Sequence, residues 1–200
     1  HGAMALCWTL DKLGPLARSA DDCALVLAAI AGADPADPTT GATFRHRERG
    51  TRRGRPGQRF RVGVLRDATA GSDPDVASNF RQAVSALRDV ADVEEDVPFP
   101  DLPYREAVGI IVDAEGAAAF RDLIESGKVK QLRDAADRVR GYAMMMTRAA
   151  DYLDAMRSRV AMRAHLDALL SRYDALVAPT RTRLAPPIGR DFDAPTPGTP

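Results

Sequence analysis

Residues 60–97, FRVGVLRDATAGSDPDVASNFRQAVSALRDVADVEEDV, determine the fold class. Phe60 to Leu65 alternates as a β-strand does, with Phe60, Val62 and Val64 on one side, and Val93 to Val97 predicts a second strand. Between them, Asp73 is a candidate N-cap and Pro74 the first helical residue. The apolar positions that follow recur at helical spacing: Val76, Phe80, Val84 and Leu87. Strand, helix and strand in so short a segment form a βαβ unit, which predicts parallel neighbouring strands and a right-handed crossover.

Further helices and a last strand are predicted after this unit. Helical patterns cover residues 104–126, about 129–139, and 147–173, where Thr147 is a candidate cap. The last of these helices is predicted to carry one stripe of side chains: Tyr152, Met156, Val160, Arg163, Leu166 and Leu170. Residues 174–178, DALVA, predict a short buried strand. We therefore expect an α/β fold over residues 60–180, in which helices are layered on a mixed, largely parallel sheet, and a Pro-rich coil over residues 181–200.

A capped helix is predicted before the βαβ unit. Ser19 and Asp22 have the spacing of a capping box. The helix that follows, Ala24 to Ala31, is apolar nearly all round, so residues 1–40 should contain a helix buried on more than one side. Residues 41–59 are rich in Gly and Arg with almost no apolar anchor, which predicts a mobile surface loop.

The composition is typical of a globular protein. Of the 200 residues, 45% are hydrophobic, and 28 basic residues balance 28 acidic ones, so no overall field would attract a nucleic acid or a membrane. Cys7 and Cys23 lie among apolar neighbours, which excludes a disulfide framework and favours a reducing compartment. No apolar run approaches the ~20 residues of a membrane span. We therefore expect a cytoplasmic protein that does not bind a membrane.

The sequence contains no motif for binding a metal, a phosphate loop or a dinucleotide, and no Gly-x-Ser-x-Gly elbow. His165 lies inside a predicted helix, and Glu94 and Glu95 are neighbours in a strand, where their side chains point to opposite faces. Spacing alone therefore predicts no catalytic residue, no metal ligand and no cofactor in this chain.

The arginine-rich loop is a candidate nucleic-acid interface. The loop contains one acidic residue, Glu48, and seven arginines: Arg45, Arg47, Arg49, Arg52, Arg53, Arg55 and Arg59. No aromatic side chain is interleaved to stack on a base, which favours a solvated loop. A non-enzymatic binding module that uses residues 45–59 remains the alternative function.

The segments ALCWTLDKLGPLARSADDCALVL at 5–27 and IAGADPADPT at 30–39 resemble the amidase signature family. The first is similar to its Ser/Thr-Leu-Asp-x-x-Gly-Pro-x-x-Arg stretch followed by an acidic cap and an apolar helix, and the second to its Gly-x-Asp-x-x-Asp-Pro-Thr stretch. Later segments resemble family elements in the same order: RVGVL at 61–65, AEG at 114–116, ADYLDA at 150–155 with Arg159, and YDALVAPT at 173–180.

The resemblance implies a parent enzyme that hydrolyses amides through a lysine, a serine in a cis peptide and a serine nucleophile. In the family these residues precede the position of Ala5, and Lys12 lies outside the catalytic lysine's context. The resemblance therefore implies that residues 1–200 are part of an amidase signature domain without its catalytic residues, and that this fragment is inactive.

Most matched residues are expected to be structural. Gly14 and Pro15 turn the chain, Asp11 and Arg18 are predicted to pair across that turn, and Arg159 is predicted to hold a carboxylate such as Glu115. Two residues are expected to bind substrate. Thr180 follows the carboxyl end of a strand, where open α/β sheets bind ligands, and Trp8 is expected to line the same pocket.

The resemblance does not determine which kind of full-length enzyme contains this chain. An ordinary amidase acting on a small-molecule amide and the glutaminase subunit of a tRNA-dependent amidotransferase both carry these motifs. A homodimer is compatible with either parent.

Overall fold

A computed structural model of the chain describes residues 3–37, 40–41 and 59–189. The α-helices are α1 Ala20–Ile30, α2 Pro74–Leu87, α3 Tyr104–Ala119, α4 Arg121–Glu125, α5 Asp137–Met144 and α6 Ala149–Leu170. The strands are β1 Phe60–Leu65, β2 Ala91–Val97 and β3 Ala175–Val177, and a 3-10 helix spans Lys128–Gln131.

The predicted βαβ unit is confirmed. Strands β1 and β2 pair in parallel, with Val62 opposite Val93, and α2 connects them. On its other edge β1 pairs in parallel with β3, with Val62 opposite Ala175, so the strand order is β2-β1-β3. The α/β prediction therefore holds, and the three described strands are all parallel.

Two clusters of buried side chains hold the layers together. One lies between the sheet and the end of α6 and contains Val97, Leu169 and Tyr173. The other joins the first described segment to α3 and α6 and contains Cys7, Ala107, Ile111, Ala155 and Met162. The second cluster positions the candidate site, because it fixes residues near Cys7 against both helices.

Helix α1 begins as predicted but is not buried. The Asp22 amide donates to the Ser19 hydroxyl at 3.1 Å, which caps the helix N-terminus. None of the helical residues is buried, and Leu25 and Ile30 are 66% and 67% exposed. The prediction of burial was wrong for the described part of the chain. An apolar surface on all sides of a helix shows only that burial would be favourable, and no other described helix or strand packs over α1.

Helix α6 buries only part of the predicted stripe, since Tyr152 and Met156 are half-buried and pack on the cluster that contains Cys7. The buried residues are Ala155, Met162 and Leu169, whereas Val160 of the predicted stripe is 72% exposed. Contact with α3 selects this face, because the small Ala155 allows the two helices to approach closely. Thr147 does not cap the helix, since Arg148 occupies the N-cap position and makes no side-chain capping bond.

The region between α3 and α6 is more broken than predicted. The helix expected over 104–126 is interrupted at Phe120, and that expected near 129–139 is replaced by the 3-10 turn and then α5. Residues 178–189 carry no helix or strand, as expected for the start of the Pro-rich coil. Most of the arginine-rich loop, residues 42–58, and the end of the coil, residues 190–200, lie outside the described residues.

Candidate functional site

Glu115 is the centre of a buried hydrogen-bond network. Its side chain, on α3, is only 2% exposed. The Thr9 hydroxyl donates to Oε1 at 2.7 Å and the Thr9 amide to Oε2 at 3.0 Å. The Cys7 thiol donates to Oε2 at 3.2 Å, and the Tyr152 hydroxyl of α6 donates to Oε1 at 3.1 Å. One carboxylate therefore ties the segment at Cys7–Thr9 to both long helices.

These contacts and burial shift the pKa values of the Glu115 carboxyl, the Cys7 thiol and the Tyr152 hydroxyl. Burial raises the pKa of Glu115, but the hydrogen bonds from Thr9, Cys7 and Tyr152 outweigh burial and hold that pKa below its ordinary value. Burial, followed by the bond to Glu115, raises the pKa of the Cys7 thiol to about 11 and also raises the pKa of Tyr152. At neutral pH the carboxylate is charged, and the thiol and phenol remain protonated donors.

Asp11 and Arg159 make contacts that differ from those predicted. The Asp11 carboxylate accepts from the amides of Leu6 at 2.9 Å and Cys7 at 3.1 Å, and no ion pair joins it to Arg18 within the described ranges. Arg159 donates to the Thr9 carbonyl at 2.7 Å instead of bonding to Glu115. The predicted pairs fail because backbone groups of the irregular segment 6–11 need partners and lie nearer to both side chains.

The remaining motif residues lie away from this network. Gly14 and Arg18 are exposed and Pro15 is half-buried, in a segment without helix or strand that leads into α1. Space around Gly14 is open, since an added Cβ would meet nothing within 4 Å. The structural role assigned to Gly14, Pro15 and Arg18 stays a prediction.

Next to the network is a cavity of about 340 Å³ between α3, the start of α4 and the start of α6. Trp8, which is 55% exposed, forms one wall. The polar groups of its lining come from Glu115, Arg121, Thr147, Arg148 and Tyr152. Arg148 is paired with Asp151 at 2.6 Å, whereas Arg121 makes no side-chain bond within the described part of the chain.

This cavity has the means to bind but not to cleave an amide. Donors from Arg121 and Thr147 can orient a carboxamide against the indole face, whereas the Tyr152 hydroxyl already donates its hydrogen to Glu115. Thr147 supplies a hydroxyl to the described lining, but no lysine or histidine lies there to activate it as a nucleophile. The described ranges also contain no group of three His, Cys, Asp or Glu side chains placed to hold a metal ion.

Of the two residues predicted to bind substrate, the structure places only Trp8 at this cavity. Thr180 is exposed, lies just after β3 and is not among the residues that line the cavity. Arg121 and Arg148 were missed by sequence reasoning, since their proximity depends on how α4 and α6 approach each other. Within the arginine-rich loop, Arg45 to Arg55 lie outside the described residues, and Arg59 donates to Asp92 at 2.9 Å.

The described helices include none that is both long and apolar enough to cross a membrane.

Comparison with protein-family models matches residues 1–198 to the family described as Amidase.

Two curated relatives are each 32% identical to the chain. A glutamyl-tRNA(Gln) amidotransferase subunit of Roseiflexus sp. (strain RS-1) matches 98% of the chain and 45% of its own length. An amidase of Pseudomonas putida matches 90% of the chain and 39% of its own length. The chain thus spans less than half the length of these relatives.

Two solved structures share the fold. A component of a vestigial protein complex that reveals the origins of an s-triazine catabolic enzyme is 28% identical, with a TM-score of 0.70 over 88% of the chain and 38% of that protein. The corresponding glutamyl-tRNA(Gln) amidotransferase subunit of Thermotoga maritima, 23% identical, superposes with a TM-score of 0.60 over 86% of the chain and 37% of that protein.

Proposed function

Because the chain belongs to the amidase family, we propose that it forms part of a hydrolase that cleaves the C–N bond of a small-molecule carboxamide. The Glu115 network carries this proposal, since it holds Thr9, and with it the neighbouring Trp8, beside a cavity whose lining supplies hydrogen-bond donors from Arg121 and Thr147. Trp8 contacts the substrate there, whereas Thr180, which does not line this cavity, stays a predicted binding residue after β3.

Catalysis requires groups from outside these 200 residues. In the family, a lysine, a serine in a cis peptide and a serine nucleophile form the Ser-cisSer-Lys group. We assign that group to the part of the domain that the chain does not span, in keeping with its coverage of less than half of its relatives. By itself, the 200-residue chain is expected to be inactive, because the residues that the structure describes assemble neither an activated nucleophile nor an oxyanion hole.

The glutaminase subunit of a tRNA-dependent amidotransferase is the second candidate. The name of the Roseiflexus relative favours it, but the Pseudomonas amidase is equally identical to the chain. The choice of substrate separates the two candidates: ammonia release from glutamine favours the amidotransferase, and release from simple carboxamides without glutamine favours the amidase.

To test this proposal, the chain is fused to the part of the Pseudomonas putida amidase that the chain does not match, and ammonia release by the joined protein is measured. We expect no turnover by the 200-residue chain and turnover by the joined protein. Trp8→Ala should raise KM of the joined protein with little change in kcat, whereas Phe99→Ala, an exposed aromatic control away from the cavity, should change neither. Amide hydrolysis by the 200-residue chain, abolished by a single substitution within it, would refute the proposal.

A further inference from the structure

A separate cavity, of about 430 Å³, lies at the amino ends of the strands. Its lining contains two arginines, two carboxylates, a valine and a tyrosine: Arg61, Asp92, Val93, Glu94, Arg172 and Tyr173. None of these residues lines the cavity at Trp8. Thr180 lies at the opposite, carboxyl end of β3. We call this space the strand-end cavity, and it is distinct from the site proposed for the amide.

The strand register places the charged side chains of β1 and β2 on one face of the sheet. Arg61 lies opposite Asp92, and Gly63 lies opposite Glu94. Residues two apart in a strand share a face, so these positions all face the same side. A Cβ added at Gly63 would come 3.3 Å from Tyr173 Cδ1. The tyrosine ring therefore packs over Gly63, on the face that carries the charged groups.

Tyr173 brings a buried hydroxyl without a partner to this cavity. The residue is 6% exposed, and its hydroxyl makes no hydrogen bond within the described part of the chain. Burial, followed by the nearby Glu94, raises the pKa of Tyr173, so the hydroxyl stays protonated at neutral pH. A buried donor without an acceptor costs free energy, which favours a ligand that supplies the acceptor.

Two guanidinium groups near this hydroxyl can bind a ligand. Arg61 supports the sheet through its main chain, whose amide donates to Asp174 Oδ2 at 2.7 Å and whose carbonyl accepts from the Asp174 amide at 2.8 Å. Its side chain makes no hydrogen bond or ion pair within the described ranges. The Arg172 guanidinium lies 5.3 Å from the centre of the Tyr173 ring, and 3.6 Å separates it from a Glu94 oxygen. That separation is longer than a hydrogen bond, so the donors of Arg172 remain usable.

The carboxylates of the lining are less available than the donors. Asp92 accepts from Arg59 at 2.9 Å, and Glu94 is the loose partner of Arg172. The remaining capacity for hydrogen bonds therefore lies mainly with two cations and one neutral hydroxyl, all of which donate.

We propose that the strand-end cavity is a second binding site, which takes a small oxyanion of the carboxylate or phosphate class. The anion accepts from the guanidinium groups of Arg61 and Arg172 and from the hydroxyl of Tyr173. A guanidinium presents paired donors that match two oxygens of either anion. The site needs no group of the amide cavity, so it is independent of the proposed function.

Isothermal titration calorimetry of the 200-residue chain tests this site. Sodium phosphate and sodium acetate are titrated separately at pH 7, with sodium chloride holding the ionic strength constant. We expect saturable binding of one anion per chain, and the tighter of the two identifies the class of the natural ligand.

Arg61→Gln should weaken binding at least about tenfold, because it removes charge-assisted bonds and leaves the main-chain bonds to Asp174 in place. Arg105→Gln makes the same change at an exposed position of α3 outside this cavity and should have no effect. Trp8→Ala should also leave anion binding unchanged, since Trp8 lines the other cavity.

Tyr173→Phe separates a role in binding from a role in the fold. It keeps the ring and removes only the hydroxyl, so urea unfolding without the anion should show no loss of stability. The increase in stability that the anion gives to the wild type should become smaller in this variant.

Three outcomes would overturn the proposal. The first is the absence of saturable binding of either anion, and the second is an equal effect of Arg61→Gln and Arg105→Gln. The third is a loss of stability in Tyr173→Phe without the anion, which would mean that the hydroxyl already has a partner inside the protein. Failure of the joined protein to release ammonia would refute the proposed function and leave this site unaffected.

Discussion

Glu115 shows how a buried charge is tolerated without a salt bridge. Burying a carboxylate costs several kcal/mol unless its oxygens are satisfied. Within the described residues Glu115 forms no ion pair, but Thr9, Cys7 and Tyr152 supply four donors. The donors come from positions far apart in the sequence, so the carboxylate acts as a cross-link between the motif segment and helices α3 and α6.

Glu115→Gln should destabilise the fold by about 2–3 kcal/mol near pH 7, because an amide cannot accept all four bonds. Folding lowers the pKa of Glu115, so its ionised form contributes stability that is fully present above the unfolded pKa, near 4.5, and is lost as the pH falls through the lower folded value. The stability gap between the wild type and the variant should therefore narrow between about pH 5 and pH 3.

Urea unfolding at several pH values measures that gap. Glu125→Gln, at an exposed position of α4, is the control and should change little at any pH. A gap that stays constant down to pH 3 would mean that the charge of Glu115 does not contribute to stability.

The two cysteines should differ sharply in reactivity. Cys7 is 2% exposed and its pKa is raised to about 11, first by burial and then by the bond to Glu115, whereas Cys23 is partly exposed. Since the thiolate is the reactive form, iodoacetamide at pH 8 should modify Cys23 and leave Cys7 protected until denaturant is added. Mass spectrometry of tryptic peptides gives the site. Rapid labelling of folded Cys23→Ser protein at Cys7 would contradict the burial of this thiol.

At the scale of elements, the packing of α3 on α6 depends on small side chains. Ala155 is buried beside Ala107 in the same cluster. Ala155→Leu should lower the free energy of unfolding by about 1–3 kcal/mol, since a larger side chain forces the helices apart. Ala164→Leu, at an exposed position of the same helix, leaves helix propensity nearly unchanged and should have little effect. Calorimetric melting of the two variants makes the comparison, and equal melting temperatures would exclude close packing at position 155.

Helices and strands marked by nearby residues in the sequence could be predicted. The face that a helix buries against an element distant in the sequence could not. The α1 cap at Ser19 and the strand–helix–strand order follow from residues a few positions apart, so the sequence contains the necessary information. The face that α6 buries depends on α3, some 40 residues earlier. For the same reason the motif pointed to Trp8, whereas the donors Arg121 and Arg148 became evident only when α4 and α6 were seen to border one cavity.

Over the whole molecule, many large apolar side chains remain exposed in the described residues. Leu13, Leu16, Leu25 and Ile30 lie within or just before α1, and all are more than half exposed. Monomeric proteins seldom leave so much apolar surface together. Since the chain spans less than half of its relatives, this surface is where we expect further parts of an amidase domain to pack.

The stability of the 200-residue chain tests whether α1 is covered in solution. Leu25→Ser and Ile30→Ser should each change the free energy of urea unfolding by less than about 0.5 kcal/mol, because an exposed side chain loses no packing. Ile111→Ala, at a buried position of α3, should cost about 2–5 kcal/mol and shows the scale of a true core change. A loss of more than about 2 kcal/mol for Leu25→Ser would mean that α1 packs against a surface outside the described residues. If that loss grows with protein concentration, the covering surface belongs to a second copy, because only association makes stability depend on concentration.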